Sequence, residues 1–503
     1  MSYKIGFAGT DGRTLVSALT VQEGHHAEEF SGVVVRGTSG MPEVCRRMDQ
    51  RVRFIPTEDN SVDAYTKAVI RALDRQELDI VVPMPEDLQI QGFVNELIAA
   101  RWHRRVIGLT REGSVLESDK VIGKAICMEA SIPVADEWCV VYARDFLEVR
   151  GVCLDFIHRY GGAVLKYPYP AAGKGSRIIR NTWEIKDVWQ TLYKDYRKDY
   201  AKICGDEADR RWPLLIESLM SGVEISFTVL VDGDGHWQFF PTAMDYPESF
   251  AGPVSKDNRI TGGMASISPH PFETPELMEM AGERIIRPLV SAMRARGILR
   301  PCFLYPGAFV SFDSHMHPRA IRLCEINIRP PEPEFQTMIK LVRNLGALLQ
   351  AAVENRLHEV KPEIRQDQIS LSVALVVGPG GPNGQKGYPD RYTNKEEIFV
   401  DLEYLAKHNI QFIPSGMGYS DSNGKLFSDG GRVAYLAGNA PVRQGQTRGA
   451  AAVGLSERLF RAYDQGRVRL IPREDPAGNR FRIRRDAGLH FVLADDLLNT
   501  SLP

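Results

Sequence analysis

GGAVLKYPYPAAGKGSRII, residues Gly161–Ile179, places two short apolar runs on either side of the loop Ala171-Ala172-Gly173-Lys174-Gly175-Ser176. Glycines there let backbone N–H groups approach phosphate oxygens, and Lys174 adds a point charge. The G-x-x-x-x-G-K-[ST] pattern is absent, so this is not a Walker loop. Lys166 closes the run AVLK, where burial is costly without a partner, and a phosphate is a natural one. A surface hairpin with a solvated lysine at its edge accounts for the same residues.

Downstream, PLLIESLMSGVEISF carries Glu217 after an apolar strand and Glu224 beyond it. They are candidate acceptors for an adenine amine and a ribose hydroxyl, or two exposed acids flanking a loop. In CEINIRP, Glu325, Asn327 and Arg329 alternate, so a strand puts all three on one face. Glu and Asn are oxygen ligands suited to Mg²⁺. Arg329 suits a phosphoryl oxygen or an acyl-phosphate carbonyl. A half-exposed strand with a salt bridge is the plain alternative; the upstream loop and Lys166 weigh against it.

Upstream, KIGFAG, GVVV and LDIVVPMP alternate with helical spacing such as DAYTKAVIRAL, which predicts a parallel α/β sheet. Ligands of such sheets sit beyond the carboxyl ends of the strands. That brings Gly9-Thr10-Asp11-Gly12-Arg13 towards Pro85-Glu86-Asp87, although both also read as tight turns. ESDKVIGKAICMEASIPV reads as a helix ended by Pro133, residues 181–200 as an exposed helix, and Thr337–Ala352 as a helix. Asp232-Gly233-Asp234-Gly235 reads as a hairpin turn, and GPGGPNGQKGYP and SDGGRVAYLAG as turns among short strands.

The 503 residues suggest three or four domains at roughly 150 residues each. The expected division is an α/β substrate domain at 1–116, a first nucleotide-binding part with a lid at 117–195, a central metal-binding part at 196–355 and a mixed C-terminal domain at 356–503. Hydrophobic residues at 43% and charged residues at 25% fit a soluble globular protein. A net charge of −2 gives no overall attraction to nucleic acid or an anionic membrane. No apolar run reaches the ~18 residues of a membrane helix, and MSYKIGFAGTDGR reads as a first strand, not a signal peptide. The seven cysteines form no C-x-x-C pair, so a reducing cytoplasm is expected and a cysteine zinc site is not. His25-His26 is read as a solvated turn.

The order S-D-K, strand lysine, A-A-G-K-G, I-E-x-L-x-x-G-x-E-x-S, T-G-G-M, E-x-N-x-R, x-P-E-x-Q, G-Y-P and G-G-R-V resembles the phosphoribosylamine–glycine ligase family over nearly the whole chain. The resemblance implies an α/β ATP-grasp fold and an ATP-dependent ligase of purine biosynthesis, with ATP and Mg²⁺ (or Mn²⁺), acting on small molecules as a monomer or homodimer. It implies Lys120 and Lys166 on the phosphates, Gly173, Lys174 and Gly175 in the lid, Glu217 and Leu219 at the adenine, Glu224 at the ribose, and Glu325 and Asn327 on metal. Arg329 and Lys174 are the expected catalytic groups. Gly12, Arg13, Pro85, Glu86, Asp245, Gly262, Gly263, Glu332, Glu334, Gly431 and Arg432 are the expected substrate residues.

Departures from the family fall on the acceptor side. G-N-G-G-R becomes Gly9-Thr10-Asp11-Gly12-Arg13, D-H-K becomes Asp245-Tyr246-Pro247, and R-F-G-D-P-E becomes Arg329-Pro330-Pro331-Glu332-Pro333-Glu334. These changes predict weak turnover of glycine with phosphoribosylamine unless Lys256 or Arg259 supplies the missing charge. A ligase for another amino acid or amine, and a nucleotide-binding regulatory protein without catalysis, are the alternatives.

Overall fold

The computed structural model describes residues 2–489 except 26–27, 37–39, 49–51, 143–145, 170–174, 205–211, 253–257, 259, 380–386, 390–391 and 393–394. Its N-terminal third holds a four-stranded parallel sheet in the order Arg53–Pro56, Phe30–Arg36, Tyr3–Ala8, Ile80–Pro83. Val33, Val34 and Val35 are wholly buried, as a parallel strand covered on both faces requires. Ala8 pairs with Pro83, so the turns that follow the two strands meet. Gly9 has φ +155°, and a Cβ there would stand 2.7 Å from Pro85 Cδ. This contact is why glycine follows the first strand.

A second sheet, in the order Trp138–Tyr142, Pro213–Ser218, Ala163–Lys166, Ser176–Ile179, is antiparallel. The helices Phe146–Tyr160 and Glu184–Cys204 pack on it around Val149, Cys153, Leu165, Ile179 and Leu192. Lys166 pairs with Ser176 and with Leu215, which sets it at the mouth of the loop quoted above.

The central sheet joins Cys302–Phe312 to Pro318–Asn327, to Val223–Ser226 and to the hairpin Val229–Val231/Trp237–Phe239. Helices Lys120–Glu129, Pro275–Ala281 and Arg287–Ala295 share its apolar core. A further antiparallel sheet runs Met244–Glu248, Ile260–Ser268, Gln368–Val377, Arg432–Pro441, Gln411–Pro414, and a small one joins Met417–Ser420, Lys425–Ser428, Glu397–Val400 and Val468–Ile471. Ala265 pairs with Val373 in the larger of the two, so hydrogen bonding crosses the division expected at 355/356. Ile260–Ser268 is buried along most of its length, and one of its two partner strands, Gln368–Val377, comes from the C-terminal segment.

The helix read over Thr337–Ala352 is broken in two. Glu334–Met338 and Leu345–Val353 are separated by a 3₁₀ turn, and Val342 is extended and bridged to Ile364. Asn344 Nδ2 donates to Lys361 O at 2.8 Å, tying the break to the following segment. Lys340 lies at this break, with its ammonium hydrogen-bonded to Gln411. Burial pushes the amine down to about 8 from its ordinary 10.5. Between those pH values the unfolded chain binds more protons than the folded one, so stability rises with pH across that window. Lys340→Met is expected to flatten the rise in urea melts between pH 8 and 10.5, and an unchanged slope would assign it to other groups.

Candidate functional site

The cleft between the second and central sheets encloses about 310 Å³. Lys120, Lys166, Gly175, Glu217, Leu219, Glu224, Glu325 and Asn327 all line it, together with Glu86, Asp245 and Arg329. Gly173 and Lys174 lie outside the described residues, as do Lys256 and Arg259.

Lys120 opens a helix whose N-cap, Asp119, accepts hydrogen bonds from Val121 and Ile122. Burial lowers the Lys120 pKa against the pull of Glu325. Lys124, one turn further on, bonds Glu217, whose other oxygen meets Lys166 Nζ at 2.5 Å. Burial alone raises the Glu217 pKa, but the two lysines outweigh it and hold the carboxyl below its usual range. Glu217 thus anchors two cations at the cleft wall and does not stand free as an acceptor for an adenine amine. Lys124 went unread in the sequence, although its i,i+4 spacing from Lys120 sets it one turn along the same helix.

Glu325 and Asn327 end the strand Pro318–Asn327. Asn327 Nδ2 donates to Tyr305 O at 3.3 Å and to Glu325 Oε1 at 3.4 Å, which leaves its own oxygen available. Among the described residues Glu325 accepts no other hydrogen bond and forms no ion pair. A carboxylate and an amide oxygen on one face are a fitting donor pair for a hard cation such as Mg²⁺. Desolvation in the cleft, then the nearness of Glu325, push Glu224 up to about 7.

Arg329 lies two residues beyond the strand's end and lines the same cleft as Glu325 and Asn327. Its Nε lies 2.8 Å from Glu86 and 3.3 Å from Glu117. Glu117 Oε2 also accepts from Ile328 N at 2.8 Å, which ties the short helix before Lys120 to the segment that follows Asn327. Glu117 is pushed up to about 7 by burial, with Arg329 opposing.

Beyond Arg329 the remaining sequence-read residues converge in an adjoining polar layer. Arg13 is bonded through Nε and Nη2 to Asp11, at 2.8 and 2.6 Å, and through Nη1 to Pro330 O. Burial works against the Arg13 charge, but Asp11 outweighs it. Arg432 pairs with Glu332 at 3.2 Å and donates to the carbonyls of Gly262 and Gly263. Gly263 sits at φ +90°, where an added Cβ would collide with Pro333 and stand 3.2 Å from Asp245 Oδ1. Glu334 Oε1 accepts from Tyr305 OH at 2.7 Å. Asp245 Oδ1 and Glu334 Oε2 are buried with no hydrogen-bond partner among the described residues. Burial, then Glu334, raise the Asp245 carboxyl well above its ordinary value. Pro85 caps the short helix that begins at Glu86, while Gly12 and Gly431 are backbone neighbours of the two arginines. Asp11, Glu117 and Tyr305 complete this layer; no spacing rule in the sequence marks them.

Residues 118–335 match the phosphoribosylglycinamide synthetase ATP-grasp (A) domain. The chain is 28% identical over 420 residues to the phosphoribosylamine–glycine ligase of Chlorobaculum tepidum, covering 83% of this chain and 86% of that one. It is 28% identical over 376 residues to the bifunctional purine biosynthetic protein ADE5,7 of Saccharomyces cerevisiae, covering 72% of this chain and spanning 42% of that longer protein. A solved phosphoribosylamine–glycine ligase from Thermotoga maritima superposes with a TM-score of 0.64 at 21% identity, over 96% of this chain and 99% of that one, which shows a shared fold. Fold and cleft together define an ATP-grasp protein. Residues 118–335 thus carry an ATP-grasp domain of the phosphoribosylglycinamide synthetase type, and the chain is similar over most of its length to phosphoribosylamine–glycine ligases, with divergent residues on the acceptor side.

Proposed function

We propose that this chain is an ATP-dependent carboxylate–amine ligase, and that glycine and phosphoribosylamine, the pair in its relatives' names, are its substrates. One observation carries the reading. Lys120, Lys166, Glu325 and Asn327 face the same cavity as Arg329 and Asp245, so phosphate-neutralising and amine-accepting groups share one space. The carboxylate oxygen attacks the γ-phosphorus; the new O–P bond forms as the bond to the ADP oxygen breaks. The amine nitrogen then attacks the acyl carbon, phosphate leaves, and the amine gives up a proton. Lys120 and Lys166 hold the phosphates. Glu325 and Asn327 would hold Mg²⁺, or Mn²⁺ in its place, and the ion would supply charge neutralisation for phosphoryl transfer. The unpartnered oxygens of Asp245 and Glu334 fit an ammonium group. Arg329 is oriented by Glu86 and Glu117 toward the reacting carbonyl. Among the described residues no helix is long and apolar enough to cross a membrane, and we place the enzyme in the cytoplasm.

A second reading, a ligase for another amine, is favoured by the acidic partners of Arg13 and Arg432, which occupy the cations that a phosphate would need. ADP release is expected only when a carboxylate and an amine are both present. Glycine with phosphoribosylamine, then a panel of amino acids and amines, separates the two readings. No stimulation by any pair would sink both.

A further inference from the structure

We propose that Asp232, His236 and His358 bind a divalent transition-metal ion of the zinc type at a site separate from the nucleotide cleft. The hairpin turn read at Asp232–Gly235 closes with Asp232 N donating to His236 O at 2.9 Å. The wholly buried Asp232 carboxylate accepts from Asp234 N at 3.0 Å and His236 N at 2.9 Å on one oxygen. Its other oxygen meets Leu357 N at 3.3 Å and His236 Nδ1 at 3.0 Å. His358 stands on the turn Leu357–Glu359, with its ring centroid 4.5 Å from that of His236. One donor atom from each of the three residues lies within 4.8 Å of the others. None of the three lines the nucleotide cavity.

Two imidazole nitrogens and one carboxylate oxygen are a donor set for zinc-type ions, whereas Mg²⁺ and Ca²⁺ take oxygen ligands. A tetrahedral ion with bonds of about 2.0–2.1 Å holds its ligands about 3.3 Å apart. The Asp232–His236 pair already has nearly that spacing. His358 must move inward; it is half exposed, and its Nε2 lies 3.7 Å from Glu359 Oε1, a loose surface pair that it would exchange for the ion, while Glu359 Oε2 stays with Arg356 at 3.1 Å. The rest is pre-organised. Gln238 Nε2 donates to Leu357 O at 3.1 Å and Gly233 N to Asn355 Oδ1 at 2.9 Å, so hairpin and turn are docked before any ion arrives. The ion replaces the proton between His236 Nδ1 and Asp232, and water fills the fourth position. His236 and His358 lie far apart in the chain, which hides the site from any spacing rule.

Metal-free full-length protein titrated with Co²⁺ in excess Mg²⁺ is expected to take up one equivalent with a tetrahedral d–d absorption band. Zn²⁺ should displace that band. His358→Ala, an exposed position that leaves the fold intact, should weaken binding by about tenfold or more. Glu325→Gln should leave it unchanged. No band at submillimolar Co²⁺, or a band insensitive to His358→Ala and His236→Ala together, would overturn the site.

Discussion

Glu325→Gln is expected to cut ADP formation by about a hundredfold to a thousandfold, the loss seen when one preorganised charge-stabilising group leaves a catalytic site. Glutamine keeps the shape and the hydrogen bond with Asn327 but removes the negative charge. That charge draws in the cation and also acts on Lys120 and Lys166. The fold should survive, because Glu325 is reached by solvent and anchors no ion pair among the described residues. Its loss also relieves repulsion on Glu224, whose carboxyl it helps to hold at about 7. The thermal midpoint should therefore be unchanged or slightly raised while turnover collapses. Steady-state ADP release across Mg²⁺ concentrations, with unfolding followed by circular dichroism, checks both halves. Near-normal turnover of the variant at limiting Mg²⁺ would remove Glu325 from the metal site.

The grouping of residues in the cleft was legible in the sequence because its signals are local. Lys166, Glu217, Glu325 and Asn327 stand at or next to the end of an apolar strand and Glu224 near the start of one, where a polar residue stands out. A strand's period of two sets Glu325 and Asn327 on one face, as their 3.4 Å contact shows. Arg329 lines the same cleft although the strand stops at Asn327, and the sequence does not show that its side chain is held there by Glu86 and Glu117 from other parts of the chain. The same limit explains Glu217. An isolated acid after a strand reads as a free acceptor, but the two lysines that occupy it come from a helix and a neighbouring strand. On the acceptor side the residues were named but their pairing was not. Asp11 with Arg13 is a local pair that loop residues conceal, and Glu332 with Arg432 joins segments that only the folded sheet brings together.

Asp11→Gly is expected to raise kcat/KM for phosphoribosylamine if that amine is the native acceptor. Arg13 is buried, and Asp11 takes its Nε and Nη2, so a substrate phosphate must compete with a carboxylate already in place. Hydrogen bonds to a charged group are worth about 1.5–3 kcal/mol. At about 1.4 kcal/mol per decade, removing the competitor should improve kcat/KM by about ten- to a hundredfold. Glycine is also the family's residue at this position, and it is tolerated in the backbone here. Position 11 is an N-cap with φ −108° and ψ 174°, where glycine costs only a few tenths of a kcal/mol relative to a good cap. The price is an unpaired buried guanidinium in the empty enzyme, worth about 3–5 kcal/mol of stability. Phosphoribosylamine, or inorganic phosphate as a probe, should restore much of that loss in a thermal-shift assay. The wild-type chain, with Arg13 neutralised, should respond to phosphate far less. The opposite result is equally informative. If Asp11→Gly lowers turnover of every amine and phosphate fails to stabilise it, Arg13 is a structural cation held for the loop at Pro330. The acceptor is then an amine without a phosphate, read by the unpartnered oxygens of Asp245 and Glu334.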